Sequence, residues 1–169
     1  LLEKNLICKK FINNMNESIK FVPVNIAVLT VSDTRVLETD KSGDILIERI
    51  KAANHKLTNR EIVKDDKNEI KKILAEWIQE KNIDVIITTG GTGLTGRDST
   101  PEVITLIADK IIEGFGELFR QLSYDKIGTS TIQSRAIGAL IKGTYVFCLP
   151  GSPSACKDAW DSILKFQLD

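Results

Sequence analysis

The chain has 169 residues, enough for one domain around one core. Its 23 lysines and arginines are balanced by 23 aspartates and glutamates, which argues against a dedicated nucleic-acid binder. No apolar run is long enough to cross a bilayer, and the opening LLEKNLICKKFINN lacks the order of a secretory signal.

Three cysteines, Cys8, Cys148 and Cys156, form no CxxC pair. They are read as small apolar fillers, reduced in a cytoplasm. The single methionine, Met15, is the expected biological start. Residues 1–21 are read as a leader outside the domain, poorly structured, with 1–14 carrying no function. Residues 22–169 are read as one α/β domain.

In chain order, NIAVLTVS (25–32) is β-branched and apolar and predicts a buried strand. A polar loop, DTRVLETDKSGD, follows. Leu46, Ile47, Ile50 and Ala53 then recur at helical spacing. Residues 55–63 predict a second strand, less apolar, with His55 exposed and inert at its start. Ile70, Ile73, Leu74, Trp77 and Ile78 form an amphipathic helical stripe. Asp66 with Glu69 forms a capping box at its head.

DVIITT (84–89) predicts a third strand, and TTGGTGLTGRDSTPE (88–102) leads out of it. There Thr100, Pro101 and Glu102 read as N-cap, N1 and first turn of a helix continuing over 103–108. The stretch with Gly114, Gly116 and Gly128 reads as short helices and turns. TYVFCL (144–149) predicts a fourth strand. The last helix has Ser152 as N-cap, Pro153 at N1, and Cys156, Ala159, Trp160 and Ile163 as its apolar stripe.

Strands alternating with helices imply a mostly parallel sheet covered on both faces, a three-layer α/β sandwich. Loops after parallel strands gather on one edge, where ligands bind. Four distant segments thus become neighbours: Ser32-Asp33-Thr34-Arg35, Lys64-Asp65-Asp66, the glycine loop through Asp98, and Pro150-Gly151-Ser152.

The glycine loop suits an anion. Without a Cβ, Gly90, Gly91 and Gly93 let a ligand approach main-chain amides, and a helix N-terminus adds partial positive charge. It is neither a P-loop nor GxGxxG, because its spacing matches neither. A carboxylate beside a phosphate nest repels the anion unless a cation sits between, and magnesium does this. Asp98 therefore stands between two roles, metal ligand or favourable charge at a helix start. Asp66 has a structural task as the cap, whereas Asp65 has none and shares the edge with Asp98. Two acids with an amide nest suit nucleotidyl transfer. Arg97 is either a solvated surface residue or a partner for phosphate charge. Ser134 and Arg135 divide evenly between structural and binding roles.

Six stretches occur together in order: VSDTR (31–35), TTGGTG (88–93), RDSTPE (97–102), GFGELFR (114–120), IGTSTIQSRA (127–136) and LPGSPSAC (149–156). In them the chain resembles the molybdenum cofactor biosynthesis protein B and molybdopterin adenylyltransferase family, and the B branch most of all. The resemblance spans about 22–169.

It implies a molybdopterin-binding α/β fold, a homotrimer or homohexamer, and the magnesium-dependent reaction of molybdopterin with ATP to give adenylyl-molybdopterin and pyrophosphate. It implies Asp65 and Asp98 as catalytic, Asp98 as the metal ligand, and Ser32, Asp33, Thr89, Gly90, Gly91, Thr92, Gly93 and Arg97 at the site. Ser134, Arg135, Pro150, Gly151 and Ser152 would contact the pterin or its phosphate. A downstream metal-insertion protein is the implied recipient, in the cytoplasm, with no nucleic acid and no membrane. Some B-branch members have lost the arginine–aspartate pair of the loop. This chain keeps Arg97-Asp98, which predicts catalytic competence. A non-catalytic pterin carrier is the alternative. The chain stops at Asp169, short of the tail common in that branch, and is expected to be truncated.

Overall fold

The structure, a computed structural model, describes residues 21–168. The expected leader and the start at Met15 lie outside the described residues, except for Phe21, whose ring sits 5.2 Å from that of His55.

Six strands form one sheet: β1 Asn25–Val31, β2 Lys56–Val63, β3 Val85–Gly90, β4 Lys110–Ile112, β5 Ile137–Ile141 and β6 Thr144–Leu149, ordered β2-β1-β3-β6-β5-β4. The four strands foreseen are those that pair in parallel, β2-β1-β3-β6, with the less apolar β2 at the edge. β5 runs antiparallel to β6, and β4 antiparallel to β5.

The helices are α1 Lys41–Ala52, α2 Lys67–Gln79, α3 Thr100–Ile107, α4 Glu113–Ile127 and α5 Pro153–Ala159. The last continues through a π-helical turn, Trp160–Leu164, and one further turn, Lys165–Gln167. Alternation along β1 divides the core. Ile26 and Val28 pack with Leu46 and Ile50 of α1, Phe115 and Phe119 of α4, and the Cys156–Ala159–Trp160–Ile163 stripe. Ala27, Leu29 and Val31 pack with Ile70, Leu74 and Trp77 of α2 and Val103 and Ile104 of α3. A parallel sheet buried on both faces needs this double cover. Each fully buried side chain such as Leu74 contributes roughly 1.5–3 kcal/mol.

Local expectations hold at several helix starts and fail at others. Asp66 caps α2 by accepting from the amides of Asn68 (2.9 Å) and Glu69 (3.2 Å). The reciprocal arm of the box is taken by the main chain, since Asp66 N–H donates to Lys64 O at 2.8 Å. Ser152 Oγ accepts from Ala155 N–H at 3.2 Å and caps α5 as expected.

At α3 the cap position belongs to Ser99. Thr100 is already helical and spends its hydroxyl on Gly90 O at 3.1 Å. α1 begins at Lys41 rather than Ile45, because Asp40 caps Gly43 N–H at 3.0 Å and draws a polar stretch into the helix. The region expected to be short helices and turns holds one 15-residue helix, α4, followed by 3-10 turns over Gly128–Gln133. Its Gly116 is a packing residue, since a Cβ there would meet Ala136 O at 2.5 Å.

His55 is buried rather than exposed, at 6%. Its Nδ1 accepts from Val24 N–H at 3.3 Å and its ring meets Trp160 edge-on at 6.2 Å. Cys148 and Cys156 are buried free thiols. Burial pushes the first up to about 12 and the second to about 11, the values of inert fillers.

Candidate active site at the carboxyl edge of the sheet

The four loops expected to meet do meet. Asp33, after β1, is the junction: its Oδ1 accepts from Asp65 N–H at 3.3 Å, after β2, and from Arg97 Nη2 at 2.9 Å, in the glycine loop. Ser32 Oγ shapes the first loop by accepting from the amides of Thr34 (3.3 Å) and Arg35 (3.2 Å).

The glycine loop turns out of β3 with Gly90 at φ +95° and Gly91 at φ +62°, conformations that L side chains rarely adopt. It is also crowded from both sides. A Cβ on Gly91 would lie 2.2 Å from Thr100 Oγ1 and 3.1 Å from Asp65 Oδ1. A Cβ on Gly93 would lie 2.6 Å from Asp98 Oδ2. The absent side chains are thus what admit both carboxylates to the loop. Thr89 Oγ1 donates to Pro150 O at 3.1 Å, joining the end of β3 to the loop after β6. Thr92, next along, is buried.

The two acids have opposite electrostatics. Burial pushes the Asp65 carboxyl up; the Ser99 amide pulls it back, and the Asp98 and Asp33 carboxylates push it further up against Arg97. Its Oδ1 is buried and makes no hydrogen bond. Asp98 is held below its ordinary value, chiefly by the Thr95 hydroxyl, which donates to Oδ2 at 2.5 Å, with the Thr95 amide at 3.0 Å in support. One acid is held ionised; beside it stands a carboxyl that resists ionising and has an uncommitted oxygen.

The remaining expected residues divide. Gly151 lies against β3, where its Cβ would sit 3.2 Å from Gly90 Cα. Ser152 is committed to its cap. Ser134 Oγ is buried without a hydrogen-bond partner. Arg135 is fully engaged, with Nε on Thr92 O (3.1 Å), Nη2 on Asp98 O (2.8 Å) and Nη1 on Glu102 Oε1.

Sequence reasoning missed Ser42 and Asp40, and gave Arg35 a place in the first loop but no task. Arg35 Nη2 and Ser42 Oγ both donate to Gly151 O, at 2.9 and 2.8 Å, and fix the last loop. Asp40 stands behind them, fully buried, accepting from Thr30 Oγ1 at 2.7 Å and Arg60 Nη2 at 3.2 Å. Only Arg35 carried a signal, through its place in VSDTR.

A concavity of about 1000 Å³ lies elsewhere. It opens at the opposite edge, by Asp84, Gly143 and Thr144, is lined mainly by apolar side chains, and holds none of these groups. Among the described residues no three of His, Cys, Asp and Glu form a ready-made metal cage. No helix among them is long and apolar enough to cross a membrane.

An open sheet whose ligand-facing loops gather beyond the carboxyl ends of its parallel strands is that of a ligand-binding α/β protein. A family model described as a probable molybdopterin binding domain matches residues 27–169, and the chain belongs to that family. It is 43% identical over 152 residues to molybdenum cofactor biosynthesis protein B of Escherichia coli, covering 90% of this chain and 89% of the relative. With the Bacillus cereus protein of the same name it shares 47% over 142 residues, 83% and 84% of the two chains.

Among solved structures, a molybdenum cofactor biosynthesis protein B superposes with a TM-score of 0.85 at 46% identity, over 87% of this chain and 92% of the other. The tungsten cofactor synthesizing protein MoaB from Pyrococcus furiosus gives 0.76 at 39%, over 83% and 90%. The likeness to the B branch read from the six motifs is therefore shown.

Proposed function

We propose that the chain acts in molybdenum cofactor biosynthesis by transferring AMP from ATP to molybdopterin, giving adenylyl-molybdopterin and pyrophosphate. The observation that carries this reading is the pair Asp65 and Asp98 against one glycine loop, the first with a buried unpartnered oxygen. Membership of the molybdopterin-binding family supports the pterin, and the relatives' names support the pathway.

In the reaction, a terminal phosphate oxygen of molybdopterin attacks the α-phosphorus of ATP. The bond from that phosphorus to the bridging oxygen breaks, and pyrophosphate leaves. The work of the protein is positioning and charge stabilisation. Amides of Gly90 to Gly93 and the start of α3 receive phosphate oxygens. Arg97, held only by the exposed Asp33, is free to turn its guanidinium to phosphate. In this reading Ser134 Oγ, the Pro150-Gly151-Ser152 turn, Ser32 and Asp33 border the second ligand.

The acids fit a magnesium ion: Asp98 is held ionised, Asp65 Oδ1 lacks a partner, and among the described residues too few protein ligands are present to complete a cage without substrate oxygens, as magnesium prefers. Asp98, with Asp65, would hold it. Bound magnesium would offset the charge of the phosphate chain. Assembly as a homotrimer or homohexamer belongs to the same reading, supported by exposed apolar side chains such as Leu106 (75%) and Ile132 (79%).

The test is pyrophosphate release on mixing the protein with molybdopterin, ATP and magnesium. We expect turnover, and a loss of about 100-fold or more in Asp98→Asn, the scale of removing one preorganised charge. Tight pterin binding with no pyrophosphate release, under conditions where an active homologue turns over, would replace this reading by that of a carrier.

A further inference from the structure

We infer that Arg135 is a positioning residue that staples the two ends of the glycine loop and so sets where Asp98 stands, without itself meeting substrate. The inference rests on the adenylyl-transfer reading of the site.

The loop from Thr92 to Asp98 has little of its own to hold it. Gly93, Leu94, Thr95, Gly96 and Arg97 are exposed. Its internal ties centre on Asp98: Asp98 N–H to Thr95 O at 3.2 Å, the Thr95 amide and hydroxyl to the Asp98 carboxylate, and the Gly93 amide in support of that carboxylate. Just outside the loop, Thr100 N–H donates to Gly91 O at 3.0 Å and Thr100 Oγ1 to Gly90 O at 3.1 Å, so the base of the loop is tied by main chain and the carbonyls of Thr92 and Asp98 are left for a partner from elsewhere.

Arg135 is that partner, and it adds a side-chain brace across the two ends. It sits in the extended link between the 3-10 turns Gly128–Gln133 and β5. Its Nε donates to Thr92 O at 3.1 Å, at the loop's entrance, and its Nη2 to Asp98 O at 2.8 Å, at the exit. The third arm, Nη1, pairs with Glu102 in the first turn of α3, the helix that follows.

A guanidinium is suited to this because its donors are fixed in one plane and diverge. An ammonium carries the same charge but no such fork. The pairing with Glu102 also answers the charge of Arg135 within the protein. The two arginines of the site therefore divide the labour. Arg97 is 67% exposed with one tie, to Asp33, while Arg135 is 23% exposed with three. The first is placed to meet phosphate; the second shapes the loop on which Asp98 rides.

The experiment compares Arg135→Lys with Arg97→Ala by two readouts. The first is amide hydrogen exchange at Thr95 and Asp98 in the ligand-free protein. The second is steady-state pyrophosphate release with ATP varied. For Arg135→Lys we expect exchange at those amides to quicken at least tenfold. We expect kcat to fall by about 10- to 100-fold, the scale of a misplacement near 1 Å, with KM for ATP within about threefold of wild type. For Arg97→Ala we expect the reverse, a raised KM and unchanged exchange. Glu102→Gln, which leaves both carbonyl ties, should sit between wild type and Arg135→Lys in exchange.

A raised KM for ATP in Arg135→Lys with kcat and exchange intact would make Arg135 a ligand contact and overturn the inference. So would unchanged exchange alone. Should wild type release no pyrophosphate, the adenylyl-transfer reading falls by itself, and the exchange arm still decides whether Arg135 staples the loop.

Discussion

Asp40 and Asp65 lie on the same half of the sheet and have been treated in opposite ways. Asp40 is fully buried, and every direction around it is answered: Thr30 Oγ1, Gly43 N–H and Arg60 Nη2 within 3.2 Å, and Arg35 Nη1 at 3.8 Å. Asp65 is partly buried, faces two other carboxylates, and keeps one oxygen with no partner. A buried charge is tolerated where it is paired and hydrogen-bonded, and is costly where it is not. Asp40 therefore reads as structure. Asp65 reads as a group kept ready for something that the folded chain does not supply.

The largest effect expected from this contrast is on stability. Asp40→Ala uncaps α1, orphans Thr30 Oγ1 and leaves Arg60 with Asp44 alone, and should lower the free energy of unfolding in urea by about 2–4 kcal/mol. A loss below about 1 kcal/mol would break the contrast from its structural side.

Gly91→Ala probes the other centre. The new methyl would overlap Thr100 Oγ1 at a backbone angle of +62°. We expect a loss of about 1–3 kcal/mol, together with loss of pyrophosphate release. Release at the wild-type rate would mean that the approach of Asp65 to this loop is immaterial.

A third acid calibrates the other two. Asp161 accepts from Arg49 Nε at 2.9 Å and Nη2 at 3.1 Å, paired like Asp40 but open to solvent. The Arg49 hydrogen bond holds its carboxyl below the ordinary range. A carboxylate with a depressed folded value stabilises the fold above its unfolded value, near pH 4, and loses that contribution as pH falls through the folded one. Arg49→Ala should thus cost under about 1 kcal/mol near neutral pH. The wild-type and variant unfolding midpoints should converge as pH is lowered below about 4. A gap that persists there would assign the effect to packing of the arginine stem.

How far the residues announced all this follows from the range over which each signal acts. β1, β3 and β6 are apolar runs, as strands buried on both faces must be, and β2, at the edge of the sheet, carries a weaker pattern. The Asp66 and Ser152 caps are contacts within three residues. Both were legible. β4 and β5 were not: β4 is three residues long, and β5, IGALI, contains a glycine and an alanine that weaken its pattern. The signal overlooked was Lys142-Gly143 between two apolar runs, a two-residue hairpin turn with both residues at positive φ.

The site was legible through its motifs and through the rule that loops after parallel strands converge. Asp40 was not, because its partners Thr30 and Arg60 are set by topology and no local spacing encodes them. Arg135 was legible as a residue of the site. Its commitment to Thr92 O and Asp98 O is visible only once β5, antiparallel to β6, is seen to start at the carboxyl edge.

The most direct test of the contrast is the rate of pyrophosphate release by Asp65→Asn, read beside its thermal midpoint. Removing a carboxylate that burial and like charge both disfavour should leave the midpoint at or above that of wild type while release falls by about 100-fold or more. Release near the wild-type rate, or a midpoint that drops as for a structural acid, would contradict the account.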